Sequence, residues 1–159
     1  MYEDVVVADA GPKGKGAFAA HGFKQGEVIL RFRGRVVHER ELPGLTGWER
    51  EHLGELTEDT YQVLPPARCY LNHSCVPNAV SSSDTVLAWR DIAEGEEITI
   101  DYRLNAHHAE IWEMPCQCEA QDQPHTVIGD FFTLPAETQK AYLPYTPAFI
   151  RREYERRRS

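Results

Sequence analysis

The chain has 159 residues, with Lys+Arg 17 against Asp+Glu 25 for a net charge of -8, and 42% of it is hydrophobic. That length suits one domain with a core of its own, and the composition excludes global disorder. Apolar runs stay as short as Val5-Val6-Val7-Ala8, against the roughly 20 residues a spanning helix needs, and the acidic balance excludes bulk binding of nucleic acid.

In chain order, the opening Met1-Tyr2-Glu3-Asp4 is acidic and has neither the basic nor the apolar region of a secretory leader, so a reducing, cytoplasmic setting is expected. Asp4–Ala8 and Gly26–Arg33 read as strands, joined by a turn at Gly11-Pro12-Lys13-Gly14-Lys15-Gly16. Thr46-Gly47-Trp48-Glu49 has the form of a capping box and predicts a short helix to about Gly54. Thr60–Leu64, Thr85–Arg90 and Glu97–Tyr102 read as strands. In the last, Ile98, Ile100 and Tyr102 alternate with Thr99 and Asp101 as on a half-buried strand. The turn at Glu94-Gly95 makes residues 88–102 hairpin-like. Thr133-Leu134-Pro135 and Thr146-Pro147 predict capped starts for helices over Ala136–Leu143 and from Pro147 to about Arg158. The chain is thus mainly β with a helical C-terminal part.

Three segments carry chemistry. Lys13-Gly14-Lys15-Gly16-Ala17-Phe18-Ala19 holds a G-x-G turn that exposes backbone to a ligand, although a plain turn has the same form. Leu71-Asn72-His73-Ser74-Cys75-Val76-Pro77-Asn78 packs amide, imidazole and thiol together, as in a Cys–His nucleophile or a self-satisfied turn. Arg90-Asp91-Ile92 through Glu94-Gly95-Glu96-Glu97-Ile98-Thr99-Ile100-Asp101-Tyr102 ends in Asp-Tyr. The four cysteines lack the spacing of a disulfide scaffold, and Cys116-x-Cys118 suits a metal better than a redox couple.

In this order the segments resemble the SET domain of protein lysine methyltransferases, over roughly Val5 to Phe131. The first is similar to the family's glycine motif, the second to N-H-S-C-x-P-N, and the third to R-D-I…G-E-E-x-T-x-D-Y. The resemblance implies a SET-domain (β-clip) fold: small curved sheets with a C-terminal pseudoknot, where the second and third segments cross, and a short helical extension. It divides the chain into a core over 1–106, a post-SET-like segment over 107–130 and a helical extension with a basic tail over 131–159. It implies that Lys13, Gly14, Lys15, Gly16, Asn72 and His73 hold S-adenosylmethionine, and that Tyr102 stands at the mouth of a lysine channel, with Tyr61 a weaker match lining it. Cys75, Cys116 and Cys118 fall on the family's zinc positions. The usual third post-SET cysteine is missing from Asp122-Gln123-Pro124-His125, where His125 completes a Cys₃His set unless the thiols are merely buried. Cys69 stands where relatives often carry arginine and is expected in the core.

The implied activity is methyl transfer to a lysine of a basic peptide or protein tail such as a histone-like tail, with a nuclear setting if histones are the target. A non-catalytic module binding basic partners is the alternative. Ile100 stands at an often aromatic position, which leaves the channel size open, and the segment between Tyr61 and Asn72 is short. Substrate recognition is therefore expected to lean on the C-terminal extension or on a second subunit in a homodimer. Residues 151–159 hold five arginines and two glutamates, net +3, so the rest of the chain carries −11, a charge that steers basic peptides toward it.

Overall fold

A computed structural model of the chain describes residues 3–107, 112–118 and 124–159. The backbone forms β1 (Val5–Asp9), β2 (Lys15–Ala19), β3 (Val28–Arg31), β4 (Arg35–His38), α1 (Gly47–Glu51), β5 (Leu53–Glu55), β6 (Thr60–Val63) and α2 (Pro66–Cys69). Then come β7 (Asn72–His73), β8 (Ala79–Ser81), β9 (Thr85–Ala88), β10 (Thr99–Ile100), β11 (Glu113–Cys116), β12 (His125–Ile128), α3 (Ala136–Tyr142) and α4 (Ala148–Arg158). They build small sheets, as expected: β1-β2, β3-β9-β8, β4-β6-β5 and β11-β12 are antiparallel, and β7 pairs parallel with β10.

The capping box at Thr46 forms, with the Glu49 N–H donating to Thr46 Oγ1 at 3.2 Å and the Thr46 N–H to Glu49 Oε2 at 2.9 Å. Its helix ends at Glu51, because Leu53–Glu55 joins the edge of β6 as a strand. The hairpin expected over residues 88–102 is not made. β9 is occupied on both edges by β3 and β8, and the chain after Gly95 turns to β2 instead, where the Ile98 N–H donates to the Ala17 carbonyl at 2.8 Å. The strand expected over Glu97–Tyr102 shrinks to Thr99–Ile100, and Tyr102 opens a 3-10 turn to Asn105. Its alternation fails at Asp101, which is buried because Arg103 folds back onto the carboxylate. Neither threonine caps its helix: Pro135 and Pro147 hold the N-cap positions, and Thr133 and Thr146 donate to the Asp130 and Leu143 carbonyls.

Among the described residues the core has three parts. Residues from β1, β2, β3 and β9 meet Leu71, Ile92, Ile98 and Ile100; Val37, Leu45 and Tyr61 form a smaller cluster. The third joins Val80, Leu104 and Phe131 to Tyr142, Phe149 and Ile150 of α3 and α4, with Trp89 edge-on to Tyr142 and Tyr145 at 5.7 Å. The basic end of the chain is docked rather than loose: Arg152 pairs with Glu58 at 2.5 Å, and the Arg157 guanidinium lies 3.9 Å over the Phe132 ring. Among the described residues no helix is long and apolar enough to cross a membrane.

Candidate functional site

The site grows from the β7–β10 junction. Two-residue strands make little ladder of their own, so side chains hold it. Asn78, only 2% exposed, donates through Nδ2 to the Glu97 carbonyl at 2.7 Å and to Glu96 Oε1 at 3.2 Å, and its Oδ1 accepts the Thr99 N–H at 2.8 Å. Its own carbonyl accepts the Trp89 N–H at 2.8 Å. One buried amide thus bolts the N-H-S-C-x-P-N segment to β10 and the residues that lead into it, as a fully satisfied buried polar group can.

His73 lies beneath this bolt. Burial, seconded by the charges of Arg103 and His125, pushes its imidazole down to about 4 against the pull of Asp101, so the ring is neutral at neutral pH. Its Nδ1 accepts the Tyr102 N–H at 3.1 Å, which leaves the proton on Nε2, 3.4 Å from Cys75 Sγ. Burial and the neighbouring thiols push Cys75 up to about 12. A protonated Nε2 and so weak an acid do not make a Cys–His nucleophile, but the same N–H suits a sulfur that binds a metal.

On one side of the junction is a cavity of about 640 Å³, whose wall includes Lys13, His73, Ser74, Glu97, Thr99 and Cys118. Lys13 Nζ pairs with Glu97 Oε2, and Asn72 Nδ2 donates to Glu97 Oε1 at 2.9 Å and to the Lys15 carbonyl at 3.0 Å. A Cβ on Gly16 would come within 2.7 Å of Glu97 Oε1 and 2.9 Å of Ala10 Cβ, so only glycine admits that carboxylate. Gly14, at φ +83°, closes the 3-10 turn Gly11–Lys13, and the Lys15 side chain is exposed. Of the expected cofactor residues, Lys13 and His73 line the cavity; Asn72 and Gly16 pack against Glu97 from outside its lining, and Gly14 and Lys15 do not border it. Glu97 had no role from the sequence; its signal was the second glutamate of Gly95-Glu96-Glu97. An ammonium beside a carboxylate matches the zwitterionic amino-acid end of S-adenosylmethionine, so the residues present fit that group.

The other side holds a cavity of about 830 Å³, with Tyr61, Leu71, Tyr102, Asn105 and Trp112 in its wall. Tyr102 donates its hydroxyl to the Leu71 carbonyl at 2.6 Å and meets the Trp112 ring edge-on at 6.3 Å. Burial raises the phenol of Tyr102, and burial with nearby Glu55 raises that of Tyr61, so both stay protonated. The His73 and Tyr102 rings, from the two cavities, lie 5.4 Å apart. Behind this pair Asp101 accepts both Nε and Nη2 of Arg103 at 2.9 Å and lies 3.7 Å from His73 Nδ1, too far for a hydrogen bond.

The predicted metal ligands converge. One donor atom each from Cys75, Cys116, Cys118 and His125 lies within 4.8 Å of the others. Cys75 Sγ is 3.8 Å from Cys116 Sγ and 3.3 Å from His125 Nε2, and the β11–β12 register sets Cys116 opposite His125. Bonds of about 2.3 Å to sulfur give a tetrahedral edge near 3.8 Å, so this set suits zinc. Asp122 and Gln123 lie outside the described residues. Cys69 stands apart, half-buried, its Sγ donating to the Leu64 carbonyl at 3.2 Å and its thiol pushed up to about 11 by burial.

A family model for the SET domain matches residues 14–103. The chain is 29% identical over 143 residues to a histone-lysine N-methyltransferase, H3 lysine-36 specific, of Eremothecium gossypii, covering 79% of this chain and 20% of that protein. It is 26% identical over 138 residues to histone-lysine N-methyltransferase 2D of Homo sapiens, with coverages of 74% and 2%. To histone-lysine N-methyltransferase ASHH3 of Arabidopsis thaliana it is 29% identical over 125 residues, with coverages of 67% and 33%. The chain therefore spans a third or less of the length of these relatives.

Proposed function

Because the chain belongs to the SET-domain family, that of protein-lysine methyltransferases, we propose that it uses S-adenosylmethionine to methylate a lysine in a basic protein tail such as a histone-like tail. The observation that supports this best is the pair of cavities meeting at His73 and Tyr102. A donor in one and an amine in the other would meet beside these two rings, with nothing between the amine nitrogen and the methyl group. Lys13 would hold the donor's carboxylate, Glu97 its ammonium. When bound, S-adenosylmethionine supplies a methyl group made electrophilic by its sulfonium.

The protein's own part is positioning. Tyr102 stays a phenol, so it is no general base. With its proton engaged by Leu71, its lone pairs are left to accept an N–H from the incoming amine and aim it. Tyr61, Tyr102 and Trp112 keep water out, and the proton of the amine leaves to solvent before alignment. A histone-like substrate would place the protein in the nucleus. Zinc held by Cys75, Cys116, Cys118 and His125 would brace the wall of the donor cavity through Cys118.

Incubation of the protein with labelled S-adenosylmethionine and core histones is expected to put label on lysine side chains. Tyr102→Phe should cut the rate by about 100-fold, the scale of a misaligned reacting group, with donor affinity little changed. If the protein binds the donor by calorimetry yet labels no protein, catalysis is excluded and the binding-module alternative takes its place.

A further inference from the structure

Arg68 is the odd charge in this molecule. It sits in α2, is only 7% exposed, and borders the 830 Å³ cavity together with Tyr102. Its Nε donates to the neutral Ser81 Oγ at 3.0 Å, and its guanidinium lies 5.9 Å from the Phe32 ring centroid. Among the described residues no carboxylate forms an ion pair with it, whereas the also buried Asp101 has its arginine close by. A buried charge is normally paired or neutralised, and arginine does not give up its proton. An uncompensated guanidinium kept at the edge of a cavity therefore has its field to offer.

We propose that Arg68 is a positioning residue whose uncompensated charge, at the Tyr102 end of the cavity, disfavours the ammonium form of an entering lysine, so that the amine meets the donor without its proton. This rests on the lysine-methyltransferase reading above. A like charge nearby lowers the pKa of a cation, and an apolar surround strengthens the effect. Among the described residues, the other charged or titratable groups bordering the cavity are Glu39, Arg50, Glu51, His52, Glu55, Tyr61, Cys69 and Tyr102. Arg50 is tied to the Pro43 and Leu45 carbonyls, and Glu55 Oε2 accepts the His107 N–H at 3.1 Å. The charges differ along the cavity: only carboxylates, Glu55, Glu39 and Asp59, act on Tyr61, whereas Arg68 is the largest charge acting on Tyr102, ahead of Glu97. A lysine side chain is drawn to the acidic end as an ammonium, gives its proton to solvent there, and only the neutral amine advances to the cationic end beside Tyr102.

The test follows single-turnover methylation of histone H3 from pH 6.5 to 10 in three variants. Arg68→Gln and Arg68→Met remove the charge, the second filling the same apolar space if the first does not fold. Ser81→Asp keeps the arginine and neutralises it. The apparent pKa of the rising limb is expected to move up by roughly one unit in each variant. Rates near pH 7.5 should then fall about tenfold and recover by pH 9.5. An equal loss at every pH would assign Arg68 to packing and overturn the proposal, as would variants whose profile matches the wild type. If the wild-type protein labels no lysine at any pH, the lysine-methyltransferase reading itself falls, and the proposal with it.

Discussion

Asn78 shows how much one side chain carries. Its side-chain amide serves Glu96, Glu97 and Thr99, so truncation leaves three half-buried partners without that bond, while the backbone bond to Trp89 stays. Asn78→Ala is expected to lower stability by about 3 kcal/mol in urea unfolding, within the range for stranded buried polar groups; a loss under about 1 kcal/mol would show that the junction does not depend on it. The residues of this motif were legible because an amide, an imidazole and a thiol sit within a few positions of each other. Glu97 was not, since its role depends on a missing Cβ at Gly16, far away in sequence. Arg68 and Asp101 were hidden for a related reason: periodicity predicts faces, not the partner that makes a buried charge tolerable.

At the level of elements, the sequence marked where most strands and helices would lie but not which would pair. Alternation and turn residues fix a strand locally. The rejection of the hairpin around Gly95 depended on β3 and β8 already filling both edges of β9. Likewise the short helix after Thr46 stopped early because β6 had an edge for Leu53–Glu55. The β11–β12 hairpin bears on both cavities: Trp112 before it borders one, Cys118 after β11 borders the other, and Cys116 and His125 sit opposite each other within it. Metal analysis of protein purified without added zinc is expected to give close to one equivalent, and His125→Ala to lose most of it. Less than about a tenth of an equivalent in the wild type would defeat a structural site.

For the molecule as a whole, charge is the lever. The surplus acid is not offset by a free basic arm, because Arg152, Arg156 and Arg157 of α4 are tied to Glu58, Glu153 and the Phe132 ring, and Arg151 and Arg158 to the Thr146 carbonyl and Tyr154. Between 0.05 and 0.5 M salt, kcat/KM for a basic protein substrate should fall by roughly tenfold while kcat holds, since screening weakens encounter more than chemistry; a rate indifferent to salt would remove steering from the account. The junction at Asn78 has one more consequence, for the entropy of binding. The two segments it joins lie 18 to 21 residues apart at their bonds, and folding fixes them against each other before any ligand arrives. The disorder surrendered in bringing His73 and Tyr102 together is thus charged to the folding equilibrium, so a ligand meets a site already assembled and gives up mainly its own freedom.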